Sequence, residues 1–179
     1  MITPFLIFID GPMGSGKTTT TKLLNQKLPD TARIAMPDIK RLVPNYKGNK
    51  NTPVVLKDVI GAMADKYLEH GVSVIVEIVT KADGIEMLKK IAEKYNAKFY
   101  AYRLTASKDS REKRVHERTK EMMGVAELPQ SKIDELSDYF EPNNQFYLDN
   151  SVSTIELIDT EKISSDQVVK IIIDKLSTH

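Results

Sequence analysis

Residues 11–18 read Gly-Pro-Met-Gly-Ser-Gly-Lys-Thr and directly follow the apolar stretch 5–10, Phe-Leu-Ile-Phe-Ile-Asp. The three glycines let the backbone wrap so that successive N–H groups point toward a phosphate chain. Lys17 can reach the β- and γ-phosphates, and the Thr18 hydroxyl can bind Mg²⁺. A helical pattern from about residue 17 to 28 adds the positive end of its dipole. The stretch therefore predicts a site for a nucleoside triphosphate and Mg²⁺.

The residues expected to bind the nucleotide lie mostly in this loop. They are Gly11, Met13, Gly14, Ser15, Gly16, Lys17, Thr18 and Thr19, joined from further along the chain by Arg114.

Bulk composition indicates one ordinary globular domain over residues 1–179. Apolar residues make up 41% and charged residues 28%, and the net charge is +1. A net charge this small gives the protein no overall electrostatic attraction to nucleic acid or a membrane, so any basic site must be local. The chain has no cysteine, which excludes disulfides and thiolate chemistry and fits a cytoplasmic location. No apolar stretch approaches the ~18 residues of a membrane span.

Strand-like and helix-like patterns alternate along the chain, which predicts an α/β fold with a parallel sheet covered by helices on both faces. The predicted strands are 4–10, 31–36, 72–79, 98–104 and 154–158. The predicted helices are 17–28, 53–70, 84–95, 108 to about 121, 131–140 and 164–176. Segments 43–52 and 119–130 are expected to be the least ordered, because they are polar or contain Gly and Pro.

A second motif, Asp-x-x-Arg at residues 38–41, directly follows the second predicted strand. With the phosphate loop, it resembles small P-loop kinases that phosphorylate a hydroxyl group and carry an AAA-type ATP-binding domain. This group comprises polynucleotide 5′-hydroxyl kinases, zeta-toxin-type kinases, chloramphenicol phosphotransferase, and gluconate and shikimate kinases. The resemblance implies a three-layer fold with a five-stranded sheet in the order 2-3-1-4-5 and a small lid. It also implies that Asp38 is the catalytic base and that Arg41 binds the acceptor, within an acceptor region of about 37–70. ATP is the expected nucleotide of this kinase group, although the sequence says little about adenine versus guanine.

Phosphoryl transfer consists largely of positioning and charge stabilisation, so one carboxylate that orients the acceptor oxygen is chemically sensible. The alternative is that Asp38 caps the next helix and Arg41 is a solvated side chain. The glycine-rich triplet of shikimate kinases is missing after the third strand, where residues 77–82 read Glu-Ile-Val-Thr-Lys-Ala. Shikimate is therefore a poor candidate acceptor.

Two further carboxylates end predicted strands beside the loop. Glu77 takes the place of an acidic residue that assists Mg²⁺ through water. It could also contact the acceptor, orient an attacking water as in an ATPase, or be an ordinary residue at the end of a strand. Asp10 is a second candidate for the outer shell of the metal.

Arg111, Arg114 and Arg118 recur at spacings of three and four, which places them on one face of a helix. The resemblance marks this helix as the start of a lid, about 111–131. In such a lid, Arg114 and Arg118 would act with Lys17 to neutralise charge on the transferring phosphate. The alternative is a solvated helix whose glutamates pair with these arginines.

These patterns together predict an ATP-dependent phosphotransferase that moves the γ-phosphate to a hydroxyl of a small-molecule or nucleoside-like acceptor. A nucleoside monophosphate kinase of the same fold remains open, with Lys40, Arg41, Lys47 and Lys50 as basic candidates for the acceptor phosphate. A nucleotide-dependent ATPase or switch is also open. A nucleic-acid acceptor is possible but not favoured, because the chain has no tryptophan and no obvious stacking channel. No membrane partner is expected, and oligomeric state is left open.

Overall fold

A computed structural model describes residues 3–43 and 52–177. The strands are β1 (Phe5–Asp10), β2 (Thr31–Ala35), β3 (Ser73–Glu77), β4 (Lys98–Thr105) and β5 (Glu156–Asp159). The helices are α1 (Lys17–Lys27), α2 (Met36–Lys40), α3 (Thr52–Glu69), α4 (Ala82–Lys94), α5 (Lys108–Met123), α6 (Gln130–Asp149) and α7 (Ser165–Ser177).

The five strands form one parallel sheet in the order β2-β3-β1-β4-β5. This order confirms the predicted P-loop fold. After β1 the chain crosses to β2, so that β2 and β3 lie on one side of β1 in the sheet. Strands β4 and β5 lie on the other side of β1. The carboxyl end of β1 is therefore a topological switch point, where ligands bind in open α/β sheets. The phosphate loop lies at that end, between β1 and α1.

Alternate residues of β1 enter different hydrophobic clusters, as the two-residue period of a strand requires. Leu6 and Phe8 pack with the apolar faces of α3 and α4. Ile7 and Ile9 pack with α1 and α7. All four side chains are fully buried. The sheet is thus covered on both faces, and its polar strand ends are left to form a site.

Three features differ from the sequence-based expectation. The short helix α2 was not predicted as a separate element. Helix α5 continues to Met123, two residues beyond the predicted end at about residue 121. Helix α6 runs nine residues beyond the predicted end at Phe140 and contains Pro142, a residue type that often ends a helix.

Most of the segment 43–52, which was predicted to be among the least ordered, lies outside the described residues, as do Lys47 and Lys50. In the part of the chain that is described, no helix is long and apolar enough to cross a membrane.

Candidate functional site

The phosphate loop has the backbone conformation that its glycines permit. Gly11 and Gly14 have φ values of +144° and +82°. A Cβ at Gly11 would stand 2.3 Å from the Leu104 carbonyl oxygen, and one at Gly14 would stand 2.5 Å from the Arg111 carbonyl oxygen. Both positions therefore require glycine for conformation and for space.

The loop borders a cleft of about 610 Å³, a size typical of small-molecule sites. The cleft is lined by loop and α1 residues 13–20, by Pro37 and Glu77, by Arg114, Val115 and Arg118 of α5, and by Thr160, Ile163, Ser164, Ser165 and Val168. Most of the nucleotide-binding residues predicted from the sequence are thus brought to one cavity, including Met13–Thr19 and Arg114. Gly11 is not among the lining residues and instead lies against β4.

Lys17 lines this cleft and is partly buried, and its ammonium donates to the Pro12 carbonyl oxygen at 2.9 Å. Burial lowers the pKa of Lys17 to about 8, and the nearby carboxylates of Glu77 and Asp10 partly oppose this shift. A lysine that has lost part of its hydration gains more from an anionic ligand than a fully hydrated one does.

Glu77 is buried at the end of β3, and both of its oxygens accept hydrogen bonds. Oε1 accepts from the Thr18 hydroxyl at 2.5 Å. Oε2 accepts from the Thr21 hydroxyl at 2.8 Å and from Nη2 of Arg33 at 2.7 Å. The carboxylate is therefore held beside the predicted metal ligand Thr18 by three donors.

A hydroxyl and a carboxylate side by side fit Mg²⁺, which prefers oxygen ligands and usually takes few of them from the protein in nucleotide sites. Within residues 3–43 and 52–177, no group of three or more His, Cys, Asp or Glu side chains forms a metal cage. Thr18 as a ligand of Mg²⁺, and Glu77 as a residue that assists the metal through water, stay predictions that this arrangement fits.

Asp38 lies in the first turn of α2, where a carboxylate interacts favourably with the helix dipole. Its Oδ2 accepts from Nη1 of Arg33 at 2.8 Å, and its Oδ1 accepts from Nη1 of Arg41 at 2.7 Å. The Asp38 side chain remains 48% exposed. The two residues of the Asp-x-x-Arg motif thus contact each other, and the carboxylate keeps an open side toward solvent.

Arg33 was missed by the sequence analysis. It lies in the middle of β2 with a side chain only 12% exposed, and its guanidinium bonds Glu77, Asp38 and the Thr21 hydroxyl. The signal was a charged residue inside an otherwise largely apolar strand, since a buried charge needs a partner.

Asp10 is fully buried and forms a two-point ion pair with Arg103 of β4. Its oxygens accept from Nε at 2.9 Å and from Nη2 at 3.0 Å. Burial raises the pKa of Asp10, and the guanidinium opposes that shift. This pair gives Asp10 a structural partner that the sequence analysis did not identify, and an outer-shell role toward the metal stays a prediction.

The three arginines of α5 do not share one environment. Arg111 is buried and donates to the carbonyl oxygens of Ala106 and Met13 and to Asn144 Oδ1, outside the cleft lining. Arg114 and Arg118 do line the cleft. Arg114 donates to the hydroxyl of Thr160 at 3.0 Å and to its carbonyl oxygen at 2.7 Å. Arg118 is exposed.

The loop after β5 fixes the start of α5. Glu161 accepts from the backbone N–H and the hydroxyl of Ser107 and from the hydroxyl of Ser110. The hydroxyl donors and the backbone N–H lower the pKa of Glu161 to about 2. The sequence gives no signal for this contact, because it joins residues more than fifty positions apart.

With this geometry established, comparison with known proteins assigns the family. A family model described as an AAA domain matches residues 6–143, which include the phosphate loop, Asp38, Glu77 and the α5 arginines. The chain belongs to this AAA domain family. The match confirms the resemblance to small P-loop kinases that carry an AAA-type ATP-binding domain. No curated protein sequence matches the chain significantly.

Solved structures resemble the whole chain. One is a protein from Chloroflexus aurantiacus, with a TM-score of 0.71, 18% identity, and coverage of 99% of this chain and 98% of that one. The APS kinase of Mycobacterium tuberculosis has a TM-score of 0.68 at 13% identity and covers 99% of both chains. A gluconokinase from Sinorhizobium meliloti has a TM-score of 0.67 at 14% identity, covering 99% of this chain and 94% of its own. At such low identity these likenesses show that the fold is shared with P-loop kinases.

Proposed function

We propose that this protein is an ATP-dependent phosphotransferase that moves the γ-phosphate of Mg·ATP to a hydroxyl group of a small-molecule or nucleoside-like acceptor. The observation that carries the proposal is a continuous set of contacts from Thr18 through Glu77 and Arg33 to Asp38. It connects the side chain suited to Mg²⁺ with the side chain suited to an acceptor proton. Phosphoryl transfer needs both groups in fixed relation.

In the proposed reaction the acceptor oxygen attacks the γ-phosphorus, and the bond to the β,γ-bridging oxygen breaks to release ADP. The acceptor proton passes to Asp38, which is about half exposed and follows Pro37 of the cleft lining in the sequence. Lys17, Arg114 and Arg118 supply positive charge around the phosphates. Mg²⁺, when bound with the nucleotide, supplies further charge stabilisation.

Residues 1–179 act in this proposal as one kinase domain, with an acceptor region of about 37–70 and a lid of about 111–131. The positions of Arg114 and Arg118 on the cleft support the lid assignment. The small-molecule specificities of the similar structures suggest that acceptor chemistry varies widely on this fold, so the acceptor must be found by experiment.

The first test is nucleotide binding. Lys17→Ala and Thr18→Ala should each weaken the binding of Mg·AMP-PNP, measured by isothermal titration, because they remove a phosphate-binding charge and a Mg²⁺ ligand. Lys22→Ala is the charge-matched control, since Lys22 is exposed on the same helix and outside the cleft lining. Unchanged affinity in both Lys17 and Thr18 variants would refute the nucleotide site.

The second test is a thermal-shift screen for the acceptor. Nucleosides, nucleotides, sugars and aminoglycoside-like alcohols are added to the protein with saturating Mg·AMP-PNP. A true acceptor stabilises the ternary complex by mass action. The same compound should then be phosphorylated when ATP replaces the analogue, with one ADP formed per phosphorylated product.

A further inference from the structure

The second half of α6 lies against the phosphate loop. Pro142 lacks an N–H and so interrupts the hydrogen bonding of the helix, yet the helix continues to Asp149. Asn143, Asn144 and Tyr147 follow within two turns and are all partly buried. Residues 142–147 are called the loop-contacting segment below.

Two side chains of this segment accept hydrogen bonds from loop N–H groups. Oδ1 of Asn143 accepts from the Met13 N–H at 2.7 Å, and the Tyr147 hydroxyl oxygen accepts from the Gly11 N–H at 3.2 Å. Burial raises the pKa of Tyr147, so its hydroxyl stays protonated and neutral near pH 7. Both acceptors are therefore uncharged and add no negative charge next to a phosphate site.

The segment is also joined to the base of α5. Asn144 Oδ1 accepts from Nη2 of Arg111 at 2.7 Å, and Nη1 of the same guanidinium donates to the Met13 carbonyl oxygen at 3.3 Å. The backbone of Arg111 is also so close to Gly14 that a side chain there would not fit. Met13 is consequently held at its N–H by α6 and at its carbonyl by α5.

We infer that the loop-contacting segment keeps the phosphate loop in its phosphate-binding conformation before nucleotide arrives, with Asn143 and Tyr147 as positioning residues. The inference rests on the proposed function, because it gives these residues the role of positioning the loop that binds the nucleotide phosphates. A loop that is already ordered does not lose conformational freedom on binding, so its affinity for phosphate is higher. The two acceptors fix the loop at Gly11 and Met13, near the end that follows β1, whereas α1 begins at the other end of the loop.

The test compares Asn143→Ala, Tyr147→Phe and the double variant by isothermal titration with two probes, Mg·AMP-PNP and Mg·tripolyphosphate. Each single change leaves one loop N–H without its acceptor and should weaken both probes by about 10-fold. The double variant should bind more weakly than either. Because tripolyphosphate has no nucleoside, an equal loss for both probes locates the effect at the phosphates.

The matched control is Gln145→Ala in the same helix. The Gln145 side chain is exposed and donates to Asp149 on the outer surface at 2.7 Å. It should retain the affinity of the unmodified protein for both probes. All variants are compared at a temperature where circular dichroism shows them fully folded, so a loss of stability alone does not change the measured Kd.

Affinities within about 2-fold of the unmodified protein in both single variants would overturn the inference and leave the proposed function intact. A loss for AMP-PNP without a loss for tripolyphosphate would also overturn it, because the effect would then lie at the nucleoside. If Asn143→Ala does not fold, Tyr147→Phe decides alone, since it removes a single hydroxyl. If the unmodified protein binds neither Mg·AMP-PNP nor Mg·tripolyphosphate, both the inference and the proposed function are overturned.

Discussion

Arg33 donates through Nη2 to Glu77 Oε2 at 2.7 Å and thereby ties the middle of β2 to the end of β3. The same guanidinium reaches Asp38 at 2.8 Å, in the short helix that follows β2. The proposed base is thus attached to the sheet through a side chain and not through its own helix alone. The position of Asp38 relative to Thr18 depends on this guanidinium and on Glu77.

Replacement of Arg33 by Met should destabilise the fold. It leaves Glu77 buried with two hydroxyl donors but without its directly bonded countercharge, although Lys17 remains a nearby cation. Breaking a buried pair in this way costs about 3 kcal/mol. Urea denaturation measures the change in the free energy of unfolding. Lys57→Met removes the exposed pair between Lys57 and Asp83 and should change stability little.

The double variant Arg33→Met, Glu77→Gln separates the lost countercharge from lost packing. A neutral amide at position 77 should recover part of the stability, because no carboxylate charge is then buried without its bonded guanidinium. If the double variant is less stable than Arg33→Met by the full cost of Glu77→Gln alone, the two residues are not energetically coupled.

The pKa of Lys17, about 8, predicts a pH dependence of nucleotide binding. Bound phosphates favour the charged ammonium and so raise this pKa, which means that binding above pH 8 takes up a proton. Affinity for Mg·AMP-PNP should therefore fall as the pH rises above 8. Titration in buffers of different ionisation enthalpy measures the proton uptake, and Lys17→Met should abolish it.

The stability of the ligand-free protein should change in the opposite sense over the same window. The folded-state pKa of Lys17 lies below its ordinary value of 10.5, so between about pH 8 and 10.5 the unfolded state binds more protons at this group. The contribution of Lys17 to stability therefore rises with pH there. An equal pH slope in the unmodified protein and in Lys17→Met would contradict the assignment of this group.

The strands and the phosphate loop could be predicted because their signals are local: apolar runs, glycines at fixed spacing, and one Lys-Thr pair. The order of the strands in the sheet followed from the resemblance to P-loop kinases. The partners of the charged groups could not be predicted, because each contact joins distant residues. Arg33 and Arg103 did carry a signal, since both are charged residues inside strands that are otherwise largely apolar. Attention to such residues would have predicted buried partners for them, though not which carboxylate each one finds.

The loop-contacting segment had no usable signal. Pro142 is a normal reason to end a helix, and the continuation to Asp149 depends on tertiary contacts between α6 and the loop. In the same way, the spacing of Arg111, Arg114 and Arg118 predicted one shared face but not their different partners. Arg111 is separated from the other two by its burial against Met13 and Asn144.

The cleft arginines should differ in their effects when replaced by alanine. Each is expected to lower kcat more than it raises KM for ATP, if it neutralises charge on the transferring phosphate. Arg114→Ala should also lower the Tm, because it removes the contacts with Thr160. Arg118→Ala should leave the Tm unchanged, since this side chain is exposed. Effects on Tm without any effect on kcat in both variants would instead support a structural helix.

Asp38→Asn and Glu77→Gln distinguish a kinase from an ATPase. In a kinase, Asp38→Asn keeps the shape of the side chain but loses the proton acceptor, and general-base assistance is typically worth ~10²- to 10⁴-fold in rate. Acceptor-dependent transfer should therefore collapse while Mg·AMP-PNP affinity is retained. In an ATPase the attacking group is a water beside Glu77, so Asp38→Asn would leave hydrolysis nearly intact and Glu77→Gln would abolish it.

The geometry of Glu77 favours the kinase outcome. Its oxygens already accept hydrogen bonds from Thr18, Thr21 and Arg33, which ties the carboxylate to the loop and the sheet. Asp38 contacts two arginines but is about half exposed, so an acceptor hydroxyl can approach it. The measurement is nucleotide affinity and γ-phosphate release for both variants, with and without the acceptor found by thermal shift. Full acceptor-dependent transfer in Asp38→Asn would show that the base is another group, and Glu77 and Asp10 would then be the next carboxylates to replace.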